Sequence, residues 1–144
     1  TTEQSNIQSL KEETSWSDEL VFPEELKKDV FIKHVEGPLF FGSTSDFQQL
    51  VRQIPDTAST IIIRMDKMPY MDQSGLFAME DILVELIQNG KQVLLVRINK
   101  QPKYLLERID IIPDLIPPEQ IFDTFLDCLI WIKSKSKHKL LVEA

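Results

Sequence analysis

The chain has 144 residues, 42% of them hydrophobic, and 23 acidic against 16 basic side chains, giving a formal net charge of −7 and a pI near 4.8. That length supports one domain that buries roughly two thirds of the surface its unfolded form exposes, and the acidic balance argues against a general affinity for nucleic acid phosphates or anionic lipid. The single Cys128 excludes an internal disulfide, the two separated histidines leave no cluster of zinc-ligand spacing, and no apolar run approaches the ~20 residues of a membrane span.

Residues 1–27 are rich in Glu, Ser and Thr, with scattered apolar side chains and no sustained hydrophobic period, and they read as a polar linker or arm, mostly solvated, with packing of Trp16, Leu20, Val21 and Phe22 back on the domain or on a neighbour as the alternative. The opening at Thr1, with neither Met nor a hydrophobic leader, is what a piece of a longer protein would show. A domain over 28–134 follows. Asp29 to Glu36 is β-branched and aromatic and ends at the turn signal Gly37-Pro38; Leu39 to Gly42 reads as a second strand returning in a tight hairpin, with Phe40 and Phe41 directed to the two sheet faces. Ser43 to Asp46 resembles a capping box, and Phe47, Leu50, Val51 and Ile54 recur at helical spacing until Pro55.

Thr60 to Met65 is a continuous apolar run broken only by Arg64, the pattern of a strand buried on both faces, and it is the candidate for the sheet centre. A helix from about Ser74 to Asn89 aligns Leu76, Met79, Leu83 and Leu86 and stops at Asn89-Gly90. Lys91 to Ile98 repeats the buried-strand pattern, so a parallel crossover is expected. Pro102 to Ile109 reads as a further helix, Glu119 to Phe122 as a short edge strand, and Asp123 onward as a last helix. That helix enters a basic tail whose end, 135–144, is expected to fray. The sum is an α/β layer with a mixed, mostly parallel sheet of about five strands and about four helices.

The stretch between the central strand and its helix is the candidate functional corner. Asp72-Gln73-Ser74-Gly75 sets a carboxylate and a hydroxyl beside the free N–H groups of a helix start, at the carboxyl end of a strand, where open α/β sheets tend to place recognition. Ser74 is the expected N-cap, with Asp72 the other candidate. Tyr70, Met71 and Phe77 form a candidate partner-contact patch, since aromatics beside a methionine suit protein recognition. No Gly-rich dinucleotide motif, Walker lysine loop or Ser/His/Asp constellation is present. No catalytic residue, metal or cofactor is therefore expected, beyond weak nucleotide binding at the Asp72–Gly75 helix start.

Two motifs carry a family resemblance. Asp72-Gln73-Ser74-Gly75-Leu76 is similar to the Asp-x-Ser/Thr-Gly loop of STAS domains, and Glu36-Gly37-Pro38-Leu39-Phe40-Phe41-Gly42 resembles a segment near the start of their transporter branch. The similarity covers about Asp29 to Lys133. It implies a STAS-like fold and a non-catalytic regulatory or interaction domain, tethered at the cytoplasmic face of the membrane to the transmembrane part of a sulfate-permease (SulP) type anion transporter. The partners so implied are that membrane part, a soluble regulatory protein or a second copy, and no nucleic acid. The alternative is a free-standing anti-sigma-factor antagonist, in which Ser74 matches the family's phosphate acceptor. Gln73 stands where a second Ser is common, a departure that bears on that use of the loop.

Overall fold

A computed structural model describes residues 13–40 and 45–143. Its frame is a four-stranded sheet in the order β1-β2-β3-β4, with β1 Val30–Glu36, β2 Thr60–Lys67, β3 Gln92–Val96 and β4 Ile121–Phe122. Every neighbouring pair is parallel, in registers such as Val30↔Thr60, Thr60↔Gln92 and Leu95↔Ile121. Five α-helices accompany it: α1 Ser45–Gln48, α2 Leu50–Gln53, α3 Gln73–Gln88, α4 Lys100–Arg108 and α5 Phe125–Glu143. The α/β class is as expected, with four strands among the described residues where about five were expected, all parallel rather than mixed, and five helices rather than about four.

The β2 run alternates between two cores. Ile61, Ile63 and Met65 join a large cluster with Leu76, Met79, Leu83 and Leu86 of α3 and Leu106 of α4, while Ile62 joins Leu94, Val96, Phe22, Phe125, Cys128 and Leu129 on the opposite side. Parallel strands in sequential order, each joined by a crossover of one hand, send every connecting helix to the same face. Helices α1 to α4 lie between strands in sequence, so the other face is left for α5 and whatever precedes β1. The Asn89-Gly90 stop has its expected geometry: Gly90 takes φ +80° and Lys91 N–H donates to the Leu86 carbonyl at 3.0 Å.

Three expectations are corrected here. The hairpin after β1 does not form: Gly37, at φ +77°, turns the chain across the carboxyl end of β2, where its N–H donates to Lys67 O at 2.8 Å and Leu39 makes a lone parallel bridge with Met71. Phe40 is consequently exposed, and Phe41 to Thr44 lie outside the described residues. The helix over Phe47 to Ile54 is broken at Gln49, although Phe47 and Leu50 are buried as its spacing implied. The last helix enters the basic tail as expected, but instead of fraying over 135–144 it is helical to Glu143.

The largest difference is the arm. Residues 13–22 are not a solvated lead-in: Phe22 is buried 6.2 Å from the Phe125 ring, and Glu19 is buried as well. The reason is the open sheet face, which needs cover, together with the three cations that β1 and β2 bury.

Candidate functional site

The loop Met68 to Asp72 carries the chain from β2 over the sheet end into α3, and it is tied down from both sides. The Asn99 amide, just before α4, donates to the carbonyls of Met65 at 3.2 Å, Asp66 at 3.2 Å and Met68 at 2.9 Å. Gln101 grips the backbone of Met71 at both ends, accepting from its N–H at 3.0 Å and donating to its carbonyl at 2.9 Å. Across the loop, Leu39 N–H donates to Tyr70 O at 2.9 Å and Asp72 N–H to Leu39 O at 3.1 Å. Three residues from two chain segments thus satisfy the loop's backbone, as a strand would be satisfied in a sheet. Neither Asn99 nor Gln101 was singled out by sequence, since a lone amide in a helix approach carries no local signal.

At the helix start the N-cap is Asp72, whose Oδ1 accepts from Gly75 N–H at 2.8 Å, and not Ser74. Asp72 is extended (φ −90°, ψ −178°), whereas Ser74 already lies within the helix and cannot take the capping geometry. The Ser74 hydroxyl is therefore free of that task, and the residue is exposed, as is Gln73. Gly75 is buried because α3 lies against the Leu39 backbone: a Cβ there would stand 2.2 Å from Leu39 O.

The expected contact patch is split. Tyr70 and Phe77 are 45% and 46% exposed, but Met71 is wholly buried, held inward by Gln101 and Leu39, and is removed from the patch. Phe40 takes its place, with its ring 5.6 Å from that of Tyr70. Beside these aromatics, a groove of about 510 Å³ is walled by Tyr70, Phe77, Gln101, Leu105, Arg108 and Ile109. The corner offers aromatic surface, one carboxylate already committed to a backbone, and an exposed hydroxyl.

A second constellation, unforeseen in the sequence, lies on the α5 side of the sheet. The His34 ring nitrogens face two carboxylates of the arm, Nδ1 3.3 Å from Glu13 and Nε2 2.7 Å from Glu19. Burial alone would lower the His34 pKa, but the hydrogen bonds to Glu13 and Glu19 outweigh it and raise it to about 9. Arg64 reaches Glu19 at 3.0 Å, Asp18 at 2.9 Å and Asp66 at 2.8 Å. These acids hold its guanidinium charged against the cost of burial, while the Arg64 hydrogen bond keeps Asp18 below the usual carboxylate range. Lys33, on the opposite face of β1, donates to Gln53 Oε1 of α2 at 3.3 Å and pairs with Glu13 at 3.2 Å. The Trp16 ring packs 4.6 Å from that of His34, with Arg64 and Lys67 at 4.6 Å and 4.3 Å from its centre. The readable signal was three cations, Lys33 and His34 in β1 and Arg64 in β2, among the apolar residues of strands, which require anions from elsewhere once buried. Each member is matched by another, so the cluster fastens the arm and leaves no open ligand site.

Residues 24–127 match the STAS domain family. YvdB of Bacillus subtilis (strain 168), a protein named for sulfate transport, is 32% identical over 75 residues, which are 51% of this chain and 14% of that protein. The chain therefore spans only a small part of that relative. A sulfate transporter family protein from Wolinella succinogenes has the same fold, with 26% identity, a TM-score of 0.69, and coverage of 92% of this chain and 100% of the other. The SulP transporter STAS domain of Vibrio cholerae gives a TM-score of 0.66 at 21% identity, covering 82% and 88%. Part of the murine Solute Carrier 26 family member A9 anion transporter gives 0.64 at 21% identity, covering 74% of this chain and 18% of that one.

Proposed function

The chain belongs to the STAS domain family, and from that premise we propose that it is the regulatory, protein-contacting domain of a SulP-type anion transporter, held at the cytoplasmic face of the membrane and catalysing nothing itself. The observation that carries this reading is the β2–α3 corner. Its backbone is fixed by Asn99, Gln101 and Leu39, while Tyr70 and Phe77 stand half exposed beside a groove. A rigid loop presenting aromatic side chains suits recognition, because little ordering entropy remains to be lost on binding. Among the described residues no helix is long and apolar enough to cross a membrane, so transport itself belongs to another part of such a protein.

The test is anion uptake by the full transporter carrying Tyr70→Ala and Phe77→Ala together, compared with the parent at equal membrane abundance. Uptake should change at least about threefold, while the isolated domain, whose two side chains are already half in water, keeps its melting temperature. Unchanged uptake overturns the reading. A second use of the same corner is favoured by the exposed Ser74 hydroxyl, which capping leaves unused. A phosphate there would add a charge of about −1.5 to −2 at a helix N-terminus but close to Asp72, repelling an acidic partner while leaving the fold intact. Ser74→Asp should then alter uptake where Ser74→Ala does not.

A further inference from the structure

The charge of the chain is unevenly spread. From Cys128 to Val142 there are four lysines and no carboxylate, within a chain whose net charge is −7. Helix α5 carries this segment. Its buried stripe, Phe125, Cys128, Leu129 and Ile132, ends at Ile132, and beyond it Lys133, Lys135 and Lys137 are exposed. On the outward stripe Leu126 and Ile130 are 59% and 57% exposed and lie in line with Lys133 and Lys137, at spacings of four, three and four residues. The arm packs against the start of this same helix through Phe22, but its turn exposes Asp18, Glu24 and Glu25 beside Leu20 and Val21 and carries no basic side chain from 17 to 25, so it is no part of the basic stripe.

We propose that the outward stripe of α5 rests on an anionic lipid surface, with Leu126 and Ile130 entering the headgroup layer and Lys133 and Lys137 meeting lipid phosphates, the exposed Asp127 confining the basic contact to the far end of the stripe. The stripe is a convex helix surface of about 16 Å, and aliphatics followed by lysines suit a plane; the groove of about 240 Å³ beside α5 opens on another side of the helix, at Trp131, Ile132, Lys135 and Ser136. A second copy fits poorly: a two-fold contact centred on this stripe would set Leu126 and Ile130 against the lysines at 137 and 133 of the other copy, covering aliphatics with ammonium groups rather than apolar surface. The inference rests on the transporter reading, which puts a membrane within reach and lets tethering supply the effective concentration that a few lysines alone would not.

The experiment uses the whole chain and vesicles containing no transporter, of phosphatidylcholine alone or with about a third phosphatidylglycerol. The chain should sediment with the anionic vesicles at millimolar lipid and not with the neutral ones. Lys133→Glu with Lys137→Glu should weaken binding at least about tenfold, and raising salt should do the same to the parent. Leu126→Ser with Ile130→Ser should weaken binding without altering its salt dependence. Absence of sedimentation, equal sedimentation with both vesicles, or indifference to the charge reversals overturns the proposal. So does a lipid-free dimer in analytical ultracentrifugation that Leu126→Ser with Ile130→Ser dissociates, which would assign the face to a second copy. Any of these results removes the lipid contact alone; the transporter reading is decided separately, by uptake.

Discussion

A methyl group on Gly75 would meet the Leu39 carbonyl, oxygen at 2.2 Å and carbon at 2.9 Å, and backbone cannot turn aside as a flexible side chain can. Gly75→Ala should therefore lower stability by about 3 kcal/mol, the upper part of the overpacking range, seen as a fall in the urea midpoint. A midpoint equal to the parent's would mean that α3 is not pressed against Leu39. His34 governs the alkaline side of stability. Its folded pKa of about 9 lies above the ordinary 6.5, so its contribution is complete below about pH 6.5, declines as pH rises, and is gone once pH passes about 9. Glu13, whose lowered pKa reflects hydrogen bonding to His34 winning over burial, and Asp18 act oppositely, losing their contributions as pH falls through their depressed values. The urea midpoint should thus be greatest between roughly pH 5 and 6.5, and His34→Gln should flatten the decline from 6.5 to 9. At this scale the sequence was legible in part. The Asp-x-Ser-Gly turn announced a helix start, but the choice of Asp72 over Ser74 as cap depends on where the extended backbone ends. The burial of Met71 depends on Gln101, thirty residues away.

Among the elements, those whose own pattern settles their environment were read correctly. Strands β2 and β3 are apolar on successive residues and lie inside the sheet; α3 carries its stripe at the right spacing and buries it. Elements defined by a distant partner were not. Leu39 looked like a hairpin strand because nothing local reveals that Gly37 sends it over Tyr70. The arm looked solvated because its acids meet cations lying between fifteen and forty-six residues further along. Its docking has a measurable signature, since the chain has only two tryptophans and Trp131→Phe leaves Trp16 as the sole indole. Adding Arg64→Met removes the cation that Asp18 and Glu19 share. Trp16 emission should then shift to the red and its acrylamide quenching rise, with about 3 kcal/mol of stability lost, because one side of a buried ion pair is left uncompensated. Unaltered emission and quenching would mean that the arm is held by Phe22 alone.

For the molecule as a whole, the α/β class and the parallel crossover from β2 to β3 followed from the alternation of buried-strand and helix patterns, whereas the parallel pairing of β1 with β2 did not, because the expected hairpin hid it. What the pattern did not convey is a consequence of that topology. With α1 to α4 on one face, the other face has only α5 from the ordered succession of elements, and the segment before β1 completes the cover. The net charge was equally uninformative about distribution, since an acidic total coexists with a basic final helix. Glu13 adds one more consequence. Its carboxylate accepts the His34 main-chain N–H at 3.2 Å on the side of β1 that no strand among the described residues occupies, filling a seat that a stranger's carbonyl could otherwise take. While the arm stays in place, crowded copies of this protein are denied that foothold for β-addition and the tangling it begins.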